Sequence, residues 1–453
     1  MKTEKTLIMI ALLLMSLYFI AHAPIGKASV TVQFSNSVSA STAISPGDWS
    51  QTYGGAGDDY AYSVVQTSDG GYALAGFTDS SGAGGFDMYL VKTDSAGNMN
   101  WSQTYGGAGD DFAYSLVKTS DGGYALAGYT SSSGAGYYDF YLVKTDLAGT
   151  MQWSKTYGGA GDDEAHSLIQ TSDGGYALAG WTDSFGSAGY EFYLVKTDSA
   201  GNMNWSQTYG GAGNNQAYSI TQTSDGGYAL AGYTDSSGAG GNDFYLVKTD
   251  SVGNMQWNKT YGGIGDDEAY SLIQTSDGGY ALAGYTTSSS AGVYNFWLVK
   301  TNSTGAVQWS QTYGSTGDSE AYAVVQTPDG GYAIGGFTDA SGAGGYDVWL
   351  VKTDSSSSVQ WSQTYGDSGD DFAQSLINTS DGGYALAGYT DSSGAGGNDF
   401  YLVKTDSSGA SSSSAGFDWS SIEGYVIIGA VVIIAIAVAL LIISRIGGRK
   451  GKL

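Results

Sequence analysis

Residues 49–105 read WSQTYGGAGDDYAYSVVQTSDGGYALAGFTDSSGAGGFDMYLVKTDSAGNMNWSQTY. The segment recurs until about Asp406, with its tryptophans at Trp49, Trp101, Trp153, Trp205, Trp257, Trp309 and Trp361, 52 residues apart each time. A fixed period of this size marks one supersecondary unit copied side by side. The fold question therefore reduces to what one unit forms and how its copies meet.

Each unit carries two hairpin signals. AYSVVQT from Ala61 and YALAGFT from Tyr72 flank Ser68-Asp69-Gly70-Gly71, whose glycines permit the positive φ of a tight turn. DMYLVKTD and MNWSQTY flank SAGN in the same way. Four strands per unit result. In the fourth, Met99, Trp101, Gln103 and Tyr105 alternate with Asn100, Ser102 and Thr104, which predicts an outer strand with its large, mostly apolar face packed on a neighbour. In the second, Ala73, Ala75 and Gly76 leave little side-chain volume and predict close approach of adjacent sheets near a crowded centre.

Radially arranged four-stranded units of this length make a β-propeller. The copies start with an isolated fourth strand, Trp49–Tyr53, and stop after three strands of the last copy, beginning at Phe372, Tyr384 and Asp399. Pairing the surplus strand with the incomplete sheet closes a ring, so the expected fold is all-β: seven blades, the last completed by the N-terminal strand. Through DGGYALAG, LVKTD and the tryptophan closing each second hairpin, residues 49–406 resemble the seven-bladed, kelch-like or quinoprotein-like propeller repeat proteins of microbial cell surfaces. LVKTDSAGNMNW is also similar to the tryptophan-docking hairpin of quinoprotein propellers. Asp94 and Gly97 sit one residue closer than that pattern requires, so the resemblance implies no quinone cofactor.

The flanks set the expected topology. Lys2 and Lys5 precede an apolar run from Leu7 to Ile20, which reads as a signal peptide over residues 1–28, followed by a Ser/Thr-rich spacer, 29–48. After the repeats, a Ser/Gly linker (407–421) leads to a predicted transmembrane helix (422–444). Its core, YVIIGAVVIIAIAVALLII from Tyr425 to Ile443, has no charged residue. Arg445, Arg449, Lys450 and Lys452 in the tail (445–453) place that end in the cytoplasm and the propeller outside. There are no cysteines, hence neither disulfides nor thiolate chemistry. A net charge of −26, with no arginine between residues 49 and 406, argues against nucleic acid as a partner.

Candidate chemistry is concentrated in repeated acids. GGAGDDYAY, Gly54–Tyr62, matches the calcium-binding nonapeptide of repeats-in-toxin proteins, but those sites need consecutive nonapeptides and here the match comes once per unit. A glycine-rich connection between units explains it better, so no metal site is assigned and Ca²⁺ stays open as a cofactor. The connections between units and those between second and third strands share one face of a propeller. That reading puts Asp58, Asp59, Asp79 and Asp87 on an acidic rim, with Asp110, Asp111, Asp162, Asp163, Asp266, Asp267, Asp370 and Asp371 as copies of the first pair. The copies of Asp69 belong to hairpin turns and read as structural.

Deviations between copies are where a unique site would lie. His166, beside Glu164, is the sole histidine of the repeats, and Trp181 replaces the Phe or Tyr of the other copies. Both admit a strand-position reading and a ligand reading, the latter an acid–base group or a carbohydrate-stacking patch. Asn100, Asn204, Asn258, Asn302 and Asn378 are sequons open to glycosylation on an exported chain. The expected role is a non-enzymatic binding or adhesion scaffold, anchored by one C-terminal span and offering surface proteins or glycans a repeated acidic rim. An extracellular polysaccharide-acting enzyme and a structural envelope component are the competing readings.

Overall fold

The computed structural model describes residues 49–187, 189–289, 293–314 and 317–409. The expected signal peptide, spacer, transmembrane helix and basic tail lie outside the described residues, as does most of the linker. Among the described residues there is no helix, and so none long and apolar enough to cross a membrane.

Seven four-stranded antiparallel sheets form the seven blades of a propeller. In blade 1 the strands are β2 (Asp59–Gln66), β3 (Tyr72–Thr78), β4 (Asp87–Thr93) and β5 (Met99–Tyr105), paired in chain order. Blades 2 to 6 repeat this pattern. Blade 7 is built from β26 (Asp371–Asn378), β27 (Tyr384–Thr390), β28 (Asp399–Thr405) and the N-terminal β1 (Trp49–Tyr53). β1 lies antiparallel on β28 in unbroken register from Trp49 opposite Lys404 to Tyr53 opposite Phe400. The ring is thus closed by hydrogen bonding between the two ends of the repeat array, the closure expected from the offset of the copies.

The core is distributed rather than central. Each junction between blades has its own apolar cluster: Ala73, Ala75, Met88 and Leu90 of blade 1 pack on Ala113, Leu116, Tyr124 and Leu126 of blade 2. The small side chains of the second strand let the sheets approach, as their size predicts. Gly76 has a different reason. A Cβ there would overlap the carbonyl of Tyr60 on the paired strand of its own blade, next to a register shift between Ala61 and Ser63. This bulge recurs in every blade.

Blades are tied by repeated polar and aromatic contacts. The Tyr53 hydroxyl donates to the Gly97 carbonyl of the next blade at 2.7 Å, and Tyr105 does the same to Gly149 at 2.6 Å. Gly97, at φ 80°, with its glycine copies between 76° and 84°, sits under the Trp49 ring, leaving no room for a Cβ. The tryptophan of one blade therefore docks on the turn of the next. Within each blade a buried lysine bridges the two hairpins: Lys92 Nζ lies 2.9 Å from Asp69 Oδ2 and donates to the Thr93 carbonyl at 2.6 Å. This confirms the structural reading of Asp69 and its copies. The apolar face of the outer strand is covered at one end only. Tyr105 is buried and Trp101 half-buried, whereas Met99 is 53% exposed because the neighbouring turn reaches no farther than the tryptophan.

Candidate functional site

The bulge in each first strand decides what faces the propeller axis. It inserts an unpaired residue between Ala61 and Ser63, and bulges of this kind bend the strand and re-aim a side chain. The inserted residues are Tyr62, Tyr114, His166, Tyr218, Tyr270, Tyr322 and Gln374, one per blade, and they line a single cavity of about 320 Å³. Their rings touch in sequence around the axis. Tyr62 and Tyr114 have centroids 4.6 Å apart, Tyr114 and His166 4.8 Å, His166 and Tyr218 5.1 Å. Tyr218 and Tyr270 follow at 5.1 Å, then Tyr270 and Tyr322, stacked at 4.6 Å. Burial holds all five tyrosines in the phenol form, with pKa values well above the ordinary 10.

A second tier lies one residue on. Ser63, Ser115, Ser167, Ser219, Ser271 and Ser375 each accept a backbone N–H from the following blade, as in Leu116 N–H to Ser63 Oγ at 3.1 Å. Blade 6 carries Ala323 at this position.

Two residues before the bulge the blades differ in chemical class: Tyr60, Phe112, Glu164, Gln216, Glu268, Glu320 and Phe372. One arc is acidic or amide and the opposite arc aromatic. The acidic arc is wired to the cavity wall. Tyr270 donates to Glu268 Oε2 at 3.1 Å, Tyr322 to Glu320 Oε2 at 3.0 Å and Tyr218 to Gln216 Oε1 at 2.8 Å. His166 Nε2 is 3.7 Å from Glu164 Oε2. Burial pushes the Glu320 carboxyl up to about 7, with the Tyr322 hydroxyl opposing and the charges of Glu268 and Asp318 adding. Burial also raises Glu268, against donors from Asn242, Tyr285 and Tyr270. On the aromatic arc, Tyr60 packs 5.1 Å from Phe77, and Phe77 4.7 Å from Phe112.

The residues singled out from sequence divide among different roles. His166 is on the channel wall. Trp181 is 7% exposed and packs 4.4 Å from Tyr190, so burial removes it as an open stacking platform for a sugar. The acidic rim is split by burial. Asp59, Asp111, Asp163, Asp267 and Asp371 are buried, as is Asp87, so these carboxylates do not face solvent. The physical reason is loop closure: Asp59 Oδ2 accepts the Gly55 N–H and the Ser80 hydroxyl, both at 2.8 Å. Asp58, Asp110, Asp162, Asp266 and Asp370 reach the surface but mostly act as staples between blades. Asp58 Oδ1 accepts the Asn398 N–H at 2.9 Å, Asp110 Oδ1 that of Phe86 at 3.0 Å, and Asp370 Oδ1 that of Tyr346 at 2.9 Å. Asp266 holds Asn242 in the same way at 3.0 Å. Burial, then the charge of Asp183, raises the Asp162 carboxyl.

Among the described residues no three acidic or histidine side chains gather closely enough to hold a metal ion. Of the sequons, Asn100, Asn204 and Asn258 are exposed on outer strands, Asn302 is half-buried in a turn, and Asn378 donates to the Gln326 carbonyl at 3.0 Å. The tyrosine ring was not anticipated from sequence. Its signal was available in the first strand, where the position of Tyr62 holds Tyr in five copies, and the position two before it exchanges Tyr and Phe for Glu and Gln.

No family model matches the chain. Over 138 residues it is 30% identical to the regulatory protein FlaEY of Caulobacter vibrioides, a match covering 27% of this chain and 14% of that protein. The chain thus spans a small part of the curated relative it matches. Solved structures overlap it loosely. Sqt1 from Chaetomium thermophilum gives a TM-score of 0.45 at 12% identity, over 75% of this chain and 82% of that one. BBS1N in complex with ARL6DN gives 0.46 at 9% identity, over 79% and 95%. The alpha-L-arabinanase of Penicillium chrysogenum complexed with arabinobiose gives 0.37 at 13% identity, over 64% and 92%. At these values none of them carries a reading of activity.

Proposed function

We propose that the protein is a non-enzymatic binding propeller, displayed outside the cell on a C-terminal membrane anchor and engaging its ligand at the mouth of the central channel. The observation that supports this is the distribution of differences among the copies. The blades repeat their core, hairpin and staple residues almost unchanged, and change chemical class on the first strand beside the channel. A cavity of about 320 Å³ lined mainly by tyrosine and serine, with glutamates hydrogen-bonded behind its wall, has the make-up of a small-ligand or glycan-end site. The surface aspartates serve the loops that frame this mouth, so the adhesive surface is the channel rim rather than a belt of equivalent acids.

The test is binding of the intact chain to a glycan array and to cell-surface extracts. Glu268→Gln with Tyr218→Phe should change the binding profile, while Met99→Ala on the exposed outer strand should not. Equal loss in all variants, or none in any, sinks the channel reading.

One observation favours hydrolysis as a second reading. A carboxyl near neutrality beside another acid is the arrangement a general acid requires, and Glu320 meets it next to Glu268. Turnover of an extracellular polysaccharide that disappears in Glu320→Gln would replace the scaffold reading with this one.

A further inference from the structure

We propose that the central channel takes an organic ammonium ion, its cationic head held by the tyrosine ring, with Glu268 and Glu320 one layer behind Tyr270 and Tyr322. This rests on the reading of the propeller as a binding module and names the chemistry of its ligand.

Three features of the channel point to that class. First, the wall is lined by aromatic side chains: five tyrosines, from five of the seven blades, are in ring contact with their neighbours at the axis, edge to face or stacked, so the ring faces not turned to a neighbour are the ones that meet the cavity. A cation over such faces is attracted by the ring quadrupole, most strongly where water is excluded, and aromatic enclosures are a recurrent way of binding quaternary ammonium groups. Second, Tyr270 and Tyr322 donate their hydroxyl protons to glutamates. A phenol that donates to a carboxylate has a more electron-rich ring, which strengthens that attraction, and the two acids, whose protonated forms burial favours, supply the counter-charge one layer behind the rings once a bound cation favours their ionised form. Third, among the described residues no lysine or arginine lines the cavity. His166 is the one basic side chain among the described lining residues, and Glu164 stands 3.7 Å from it.

The same features favour the neighbouring classes less. A bare divalent ion needs six to eight oxygen ligands at short range, and no three acidic or histidine side chains among the described residues gather closely enough to hold one. An anion would face the glutamate arc with no cationic partner. A neutral sugar gains from stacking but not from carboxylates set behind the rings. A trimethylammonium or primary ammonium head of a few heavy atoms fits a cavity of about 320 Å³ with room for water.

The experiment is calorimetric titration of the intact chain with choline, its uncharged isostere 3,3-dimethylbutan-1-ol, and calcium chloride. Choline should bind saturably, and the isostere about tenfold or more weaker, the factor expected when a cation–π and carboxylate contribution is removed from an otherwise equal shape. Glu268→Gln combined with Glu320→Gln should weaken choline by at least about tenfold, on the same reasoning. Met99→Ala should leave it unchanged. A native circular-dichroism spectrum and melting curve of the double variant keeps loss of fold from passing as loss of binding. Equal affinity for choline and its isostere, displacement of choline by calcium, or no heat with choline overturns the proposal. If choline fails while the channel variants still alter glycan or surface binding, the ligand class is wrong and the binding-module reading stands.

Discussion

Ser357 shows how much one backbone angle matters in this molecule. It is the sole non-glycine residue with positive φ, 72°, among the described residues, at a position where the other turns carry glycine. A Cβ in this region is strained, and the neighbouring lock is the longest of its kind, Tyr313 hydroxyl to Ser357 carbonyl at 3.0 Å against 2.5 Å for Tyr365 to Gly409. Ser357→Gly is expected to stabilise the protein by about 0.5–1 kcal/mol in chemical denaturation, since relief of strain outweighs the added freedom of the unfolded chain. A loss of stability would show that the serine side chain makes a compensating contact. Glu320 is the second residue whose environment predicts a measurable effect. Its folded-state pKa is raised to about 7 from an ordinary 4.5, so the folded form binds the proton more tightly than the unfolded chain does. Its contribution to stability is therefore fully present below pH 4.5 and is lost as pH rises through 7. Glu320→Gln should gain on the order of 1–2 kcal/mol at pH 8 and nothing at pH 4. Melting curves at the two pH values decide it, and equal shifts at both would refute the burial argument.

At the scale of the element, the first strand and the blade junction carry the predictions. Six serines accept a backbone N–H from the next blade, and Ala323 leaves the junction of blades 6 and 7 without that acceptor. Ala323→Ser should supply it and add about 0.5–1 kcal/mol, the usual net value of a buried hydrogen bond. No change on urea denaturation would mean that the Leu376 N–H is already satisfied there. Junctions also set two acids against each other. Asp243 is raised by burial and by the charge of Asp267, with the Ala239 N–H opposing. The same register position holds Asn295 one blade later, so an amide fits the loop. Asp243→Asn is expected to raise the melting temperature at neutral pH, where the carboxylate must ionise against burial and Asp267. The gain should vanish below the ordinary carboxylate range, where the acid is protonated. A gain that persists at pH 3 would assign the effect to packing instead. Hairpins, turn residues and strand number were all legible at this scale, because alternation and Gly-bearing turns are local properties. The first strand begins at Asp59, two residues before the apolar alternation does, because Asp59 and Tyr60 already pair with Thr78 and Phe77 of the second strand.

For the whole molecule the decisive contact is β1 on β28. It joins residues more than 340 apart in sequence and replaces an exposed sheet edge with five paired positions. Deleting residues 49–53 should leave blade 7 with three strands and an open edge, and such edges pair with other chains. The expected outcome is self-association in light scattering and a lower, broader melting transition. A monodisperse deletion variant with unchanged melting would show that the junctions alone hold the ring. Closure also creates the channel, since no blade by itself contributes more than a fraction of its wall.

The sequence by itself determined the period, the four strands of each unit, the offset that closes the ring and the structural role of the Asp69 copies. These follow from side-chain alternation, turn chemistry and the phase of the repeat. Tertiary structure alone decided which of two adjacent aspartates is buried. It also decided that Trp181 packs under Tyr190 and that a recurring bulge turns Tyr62, His166 and their counterparts to the axis. Those outcomes depend on a one-residue shift in strand register and on contacts between blades, and neither is written in the residues of a single copy.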